Sequence, residues 1–219
     1  MKYHLFLLLC FVVSDLLAQD PWKDVYRESA WEQRDTWQRS SEIISKLKLK
    51  SGSHVADVGC HEGYFAIKLS GVVRSGKVYA VDISSSKVEK LKQHLEKRNI
   101  NNVEVILGKE DNPGLPANTL DAVIIVDTYH EMDRHDAILQ HIRTALKPGG
   151  RLLICEPISD DRKTFPRADQ EKKHELGMDF ALSDLKKAGF KITFQQEGFV
   201  DRVKEKGDRM WLIVCEKNI

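Results

Sequence analysis

One run of residues constrains this chain more than any other: Val55-Ala56-Asp57-Val58-Gly59-Cys60-His61-Glu62-Gly63-Tyr64-Phe65. A short apolar stretch meets an acid, two glycines bracket a tight turn, and a second apolar run able to start a helix follows. An α/β chain uses such a turn to present backbone groups and one carboxylate to a nucleotide-like ligand. Gly59 and Gly63 reach dihedrals closed to other residues and let the backbone approach a ligand closely. The spacing is Asp57-x-Gly59-x-x-x-Gly63. It lacks the G-x-G-x-x-G pattern that wraps a pyrophosphate, and an acid before the turn suits a cationic ligand.

Apolar runs and breakers then repeat as an α/β sheet requires. Strands are predicted at residues 54–58, 77–81, 103–107, 120–126 and 151–155. Helices are predicted from the glycine turn to 69, from an N-cap at Ser85-Ser86 to 98, and over 134–146, where Lys147-Pro148-Gly149-Gly150 stops the last one. An earlier apolar stripe, Ile43, Ile44 and Leu47, has helical spacing, with Ser51-Gly52 ending that helix. Alternating strands and helices imply right-handed crossovers and a parallel sheet covered on both faces. The last third changes rhythm. Residues 159–176 are strongly charged, 182–188 form a short helix, and strands at 190–195 and 210–215 have no long helix between them. Those two strands pair as a hairpin, with one antiparallel to the sheet.

Composition narrows the partners. With 34 basic against 33 acidic residues, the net charge is +1 and no field gathers polyanions, so nucleic acid is not an expected partner. At the N-terminus, Lys2 and His4 precede an apolar run over residues 5–13, and Leu17-Ala18 leads into Gln19-Asp20-Pro21. This pattern is read as a signal peptide over residues 1–18, implying export to a periplasm or the exterior; a buried N-terminal helix in a cytoplasmic protein is the alternative. The run is shorter than the roughly 20 apolar residues a membrane span needs. Residues 19–50 then form a helical cap and 51–219 the main domain. Past residue 18, Cys155 and Cys215 read as core thiols beside Cys60. Neither a disulfide framework nor a paired Cys/His spacing for zinc is visible, and no metal is expected.

Five segments occur in an order that resembles class I S-adenosylmethionine (SAM)-dependent methyltransferases. They are residues 55–65, residues 78–82, Leu115-Pro116-x-x-Thr119-Leu120-Asp121, Leu146-Lys147-Pro148-Gly149-Gly150 and Lys187-Ala188-Gly189-Phe190. The resemblance implies a three-layer Rossmann-like α/β fold, with a seven-stranded, mostly parallel sheet, helices on both faces and a C-terminal antiparallel hairpin. It implies SAM as cofactor and methyl transfer as the activity. Carried over by position, Gly59, Cys60 and Gly63 would contact the amino-acid end of SAM through backbone groups, with Asp57 near its ammonium. Asp82, 23 positions after Gly59, would hold the ribose and Ile83 would pack on the adenine. Lys109 stands where the family often has an acid, so Glu110 or Asp111 would meet the adenine amine. Asp127 would close the site near the methionine moiety.

Several residues carry two readings. The His61 ring either projects away from the cofactor or reaches the pocket and titrates near its ordinary value of about 6.5. His130 leads as a catalytic base, followed by Tyr129 and Glu131; alternatively, His130 and Glu131 open the next helix, with Glu131 favoured by its dipole. The N-terminal aromatics Trp22, Trp31 and Trp37 either cover the site or pack as a plain amphipathic helix. Arg34 would pair with an acidic acceptor or the SAM carboxylate. Glu156, His174 and Arg202 are pocket-rim candidates for which exposed charge is the commoner explanation. Asp127-Thr128-Tyr129-His130 lacks the Asp/Asn-Pro-Pro-Tyr signature of amino methyltransferases, so a small-molecule acceptor is expected. A non-catalytic SAM-binding protein is the second reading, motivated by His61 and Lys109. An NAD-linked oxidoreductase ranks last.

Overall fold

The computed structural model describes residues 26–218. The signal-like stretch and Trp22 lie outside them. A short helical turn leads into α1 (Trp31–Trp37) and α2 (Ser40–Ser45), separated at Arg39, whose φ of 52° is left-handed. The predicted Ile43, Ile44 and Leu47 stripe is buried, although α2 stops before Ser51-Gly52. Then come β1 (His54–Val58), α3 (Tyr64–Val72), β2 (Lys77–Asp82), α4 (Ser85–Lys97), β3 (Val103–Leu107) and β4 (Leu120–Val126). The residue at the cap of α4 is Ser84, one before the expected pair, and its hydroxyl does not cap the helix.

The chain continues through α5 (His135–Ala145), β5 (Leu146–Ile158), α6 (Arg167–Glu171), α7 (Met178–Lys187), β6 (Phe190–Arg202), α8 (Val203–Lys206) and β7 (Asp208–Lys217). β5 begins earlier than expected because Leu146 turns directly from helix to extended backbone and pairs with Leu120. The charged segment after β5 is not wholly irregular, since α6 lies within it.

The sheet order is β3-β2-β1-β4-β5-β7-β6. β1 to β5 run parallel, while β7 pairs antiparallel with both β5 and β6. The hairpin expectation holds, with the last strand inserted between two earlier ones. Central strands alternate their side chains between two cores: Val55, Ile124 and Leu153 face the α3 and α4 side, while Ala56, Val123 and Leu152 face α5 and α7. Burial on both faces explains why these strands read as continuous apolar runs. Cys60, Cys155 and Cys215 are free and buried. Among the described residues, no helix is long and apolar enough to cross a membrane.

Candidate functional site

β1 and β4 are neighbours, yet their chain connections run to opposite sides of the sheet, and at such a switch point the strand ends leave a crevice. Three adjoining cavities open there, and Glu131 lines each of them.

The first cavity, about 230 Å³, lies over the glycine turn and is lined by Arg34, Asp57, Gly59, His61 and Asp82 among others. The turn's amides are used within the protein. Val81 carbonyl accepts the N–H groups of Gly59 and Cys60 at 2.8 and 2.9 Å, and the N–H of Gly63 returns to Cys60 carbonyl at 2.9 Å. The Gly59 carbonyl takes a long 3.4 Å bond from the Thr128 hydroxyl. The turn therefore offers an acceptor, matched to a cation, where backbone groups of unspecified kind were expected. Glycine is required at Gly59: φ is +81°, and a Cβ would lie 2.1 Å from Thr128 Cγ2.

Two buried charges face this cavity. Asp57 Oδ2 has no hydrogen-bond partner among the described residues. Burial pushes its carboxyl up to about 7, against the pull of Arg34. Arg34, from α1, is 4% exposed. Its Nε donates to Gln38 Oε1 at 3.0 Å and its guanidinium lies 4.1 Å from the Tyr64 ring centroid. It makes no ion pair among the described residues. A buried acid and a buried cation thus share one wall without partners of opposite charge.

The second cavity, about 160 Å³, lies between Asp82, Ile83, Lys109, Glu110, Met132 and Ile138. Asp82 Oδ2 accepts the His61 N–H and Oδ1 accepts the Ser84 N–H, both at 2.9 Å. Ile83 is 61% exposed beside this space. Glu110 lines it, whereas Asp111 lines only a separate cavity further out with Arg134.

The third cavity, about 440 Å³, extends from His61 and Tyr26 to His130, His174 and Arg202. Here the structure corrects several expectations. His61 does not project away: its ring lines the first and third cavities and packs 5.7 Å from the Tyr26 ring. Nor does it titrate near 6.5, because burial and then Lys87 push it down to about 4. Asp127 is not offered to a ligand. Its carboxylate is taken by Arg202 at 2.5 Å, by the Tyr26 hydroxyl at 2.5 Å and by Lys206 at 3.9 Å. Burial alone would raise it, but Arg202 and Lys206 hold it well below the usual carboxylate range.

The three catalytic candidates stand in different settings, with His130 and Glu131 on the cavity wall. Tyr129 is fully buried and its hydroxyl donates to Asp184 Oδ2 at 3.0 Å, away from the cavity. His130 Nδ1 lies 2.5 Å from Glu156 Oε2, and its Nε2 lies 3.2 Å from Glu131 Oε1. Burial alone would lower its pKa, but Glu156 and Glu131 outweigh burial and raise it to about 10. Both ring nitrogens of His130 are thus committed to carboxylates. Hydrogen bonding from His130, joined by His174, holds Glu131 down to about 2. These residues form a 3-10 turn, Tyr129–Glu131, and do not open α5. Glu156 and Arg202 are not exposed charges. Glu156 is wholly buried and accepts the N–H groups of Thr128 and Tyr129 at 2.7 and 2.9 Å, while Arg202 links Asp127 to Asp208.

Sequence reasoning missed Tyr26 and Lys206 as cavity residues. Of the two readings of the tryptophans, packing fits the described pair: Trp37 is in the core and Trp31 packs on Tyr64 and His94.

The strand order, the reversed β7 and the crevice over an acid-glycine turn define a Rossmann-like α/β fold. A family model described as a methyltransferase domain matches residues 49–198, and the chain belongs to that family. Among solved structures, a SAM dependent methyltransferase from Aquifex aeolicus superposes with a TM-score of 0.72 at 24% identity, covering 90% of this chain and 98% of that one. The ubiquinone/menaquinone biosynthesis C-methyltransferase of Pseudomonas putida is 30% identical over 134 residues, covering 60% of this chain and 52% of that protein. The protein-L-isoaspartate O-methyltransferase of Pyrococcus abyssi is 36% identical over 112 residues, covering 51% and 49%. The chain thus spans about half the length of these curated relatives.

Proposed function

We propose that the protein transfers a methyl group from SAM to a small-molecule acceptor. The observation that carries this reading is the pair of buried, unpartnered charges on one cavity wall: Asp57 with a free oxygen and Arg34 without an ion pair. A zwitterionic amino-acid end completes both, its ammonium toward Asp57 and the Gly59 carbonyl and its carboxylate toward Arg34. The neighbouring cavity supplies the nucleoside half. Asp82 would hold ribose hydroxyls, Ile83, Met132 and Ile138 would enclose the adenine, and Glu110 would meet its amine.

Bound there, SAM supplies an electrophilic methyl group on a sulfonium. The chain's own task is alignment and exclusion of water around the acceptor. Glu131, His61, Tyr26 and Asp127 border both the cofactor cavity and the larger third cavity, so the acceptor belongs in the latter. The relatives methylate acceptors as different as quinone precursors and isoaspartyl protein, which is why acceptor size is argued from this chain's cavity of about 440 Å³. Calorimetry with SAM and S-adenosylhomocysteine, followed by methyl transfer from labelled SAM into a metabolite extract, tests the reading. Absence of SAM binding by the folded protein would sink it.

A second reading, SAM binding without turnover, is favoured by His130 having both ring nitrogens engaged by carboxylates. Tight binding with no transfer across broad acceptor panels would establish it. We also read residues 1–18 as a cleaved signal peptide, on Lys2, the apolar run and Ala18. An exported enzyme would need SAM released from its site of synthesis. N-terminal sequencing of the native protein tests cleavage, and an intact Met1 would end this reading.

A further inference from the structure

On the wall of the third cavity three side chains from two separate segments converge. His130 and Glu131 come from the turn after β4, and His174 from the connection between α6 and α7. One ligand-capable atom from each lies within 4.8 Å of the others. His130 Nε2 is 3.2 Å from Glu131 Oε1, and His174 Nδ1 contacts the same oxygen.

The arrangement is built from beneath. The Glu156 carboxylate, wholly buried, is fixed by backbone N–H groups of Thr128 and Tyr129 and takes His130 Nδ1 at 2.5 Å. With Nδ1 committed, the Nε2 of a ring only 4% exposed points at Glu131. A carboxylate behind a histidine, fixing its tautomer and orientation, is the support that metal-ligating histidines ordinarily have. His174 is placed by its neighbour Glu175, which is tied to Arg162 at 2.7 Å and to the Ser159 hydroxyl at 3.2 Å. Its ring meets that of His130 edge-on at 5.9 Å.

We propose that His130 Nε2, Glu131 and His174 Nδ1 bind a divalent transition-metal ion, with Glu156 as the positioning residue behind His130. Two imidazoles and one carboxylate form the donor set of open zinc sites, which leave a fourth position for water or substrate. The three side chains line a cavity of about 440 Å³ that borders the cofactor site. Resting on the methyltransferase reading, the site selects an acceptor whose reacting atom ionises, a thiol or a phenol. On binding, its S–H or O–H bond breaks, the proton passes to solvent, and the anion's lone pair binds the ion.

The test uses the full chain without a histidine tag. Zn²⁺ is titrated by calorimetry, and Co²⁺ is followed through its visible d–d bands, with thiophenol and phenol as acceptor probes. One ion per chain is expected, with bands that change on adding a probe. His174→Ala and Glu131→Gln, both at exposed side chains, should weaken Zn²⁺ binding by more than about tenfold and erase the bands; Glu156→Gln should weaken binding by about ten- to hundredfold. Far-UV circular dichroism and thermal unfolding on the same samples show that the variants are folded. Wild-type protein without d–d bands, or Zn²⁺ binding unchanged in His174→Ala, overturns the site. Bands that neither probe alters overturn the acceptor assignment. Metal binding without SAM binding would instead sink the methyltransferase reading and leave the site standing.

Discussion

Asp57 and Asp127 end neighbouring strands and are both buried, yet their settings are opposite. Asp57 keeps an oxygen without a partner and has its carboxyl pushed up to about 7; Asp127 is gripped by Arg202, Lys206 and Tyr26 and is held low. The difference divides the site. On the cofactor side, charges are left for a ligand to complete; on the acceptor side, protein charges already satisfy one another. A buried charge with its partner supplied by the fold is a structural element, and one without is a binding element.

The largest expected effect lies on the acceptor side. Arg202→Met strands Asp127 and Asp208 in a buried setting and should destabilise the protein by about 3–5 kcal/mol in urea unfolding. A loss below about 1 kcal/mol, the range of surface pairs, would break the comparison. Arg34→Met should do the reverse. Stability should change by less than about 1 kcal/mol, since no ion pair is lost, while SAM affinity falls ten- to hundredfold, the worth of a charge-assisted hydrogen bond of about 1.5–3 kcal/mol. Calorimetry and thermal unfolding on the same variant separate the two.

The third test uses pH. In the unligated protein Asp57 holds its proton below about 7, and an ammonium ligand needs it ionised. SAM affinity should therefore be lost as pH falls through 7, by about tenfold between pH 8 and pH 6, with the slope gone in Asp57→Asn. Unligated stability carries the opposite sign at this group. A carboxyl raised above its unfolded value contributes less as pH rises from about 4 to 7. Asp127, held low, contributes stability above its unfolded pKa of about 3.9 that is lost only in stronger acid. The smallest effect is expected at His61. Its ring is neutral above pH 5, so His61→Gly should leave the pH profile of SAM binding unchanged, and the left-handed φ of 50° makes glycine stabilising by up to about 1 kcal/mol. A profile that moves with His61 would return the titration to that ring.

The same division governs what could be read before folding. Asp57, Gly59 and Asp82 announce themselves through local chemistry: a strand, a turn that needs glycine, an acid at a strand end. Element order and the terminal hairpin followed from apolar periodicity. The acceptor side has no such local sign. Arg202 and His174 lie in charged stretches that look solvated, and only the fold brings Arg202 under Asp127 or His174 beside Glu131. Glu156 was the nearest to legible, as an acid directly following the apolar run 152–155. Arg34 was visible as a candidate, but its burial beside Asp57 depends on how α1 lies over the sheet.

The strand order has a consequence for synthesis. β6 touches the sheet only through β7, which follows it in the chain, and Arg202 ends β6. During translation, which proceeds at about 5–20 residues per second, β1 to β5 can assemble while β6 waits without a seat. Asp127 is then a buried acid in want of its cation, and the wall of the third cavity closes only when β7 slides between two strands that emerged before it. Seating β7 is thus also the step that completes the charge network around Asp127.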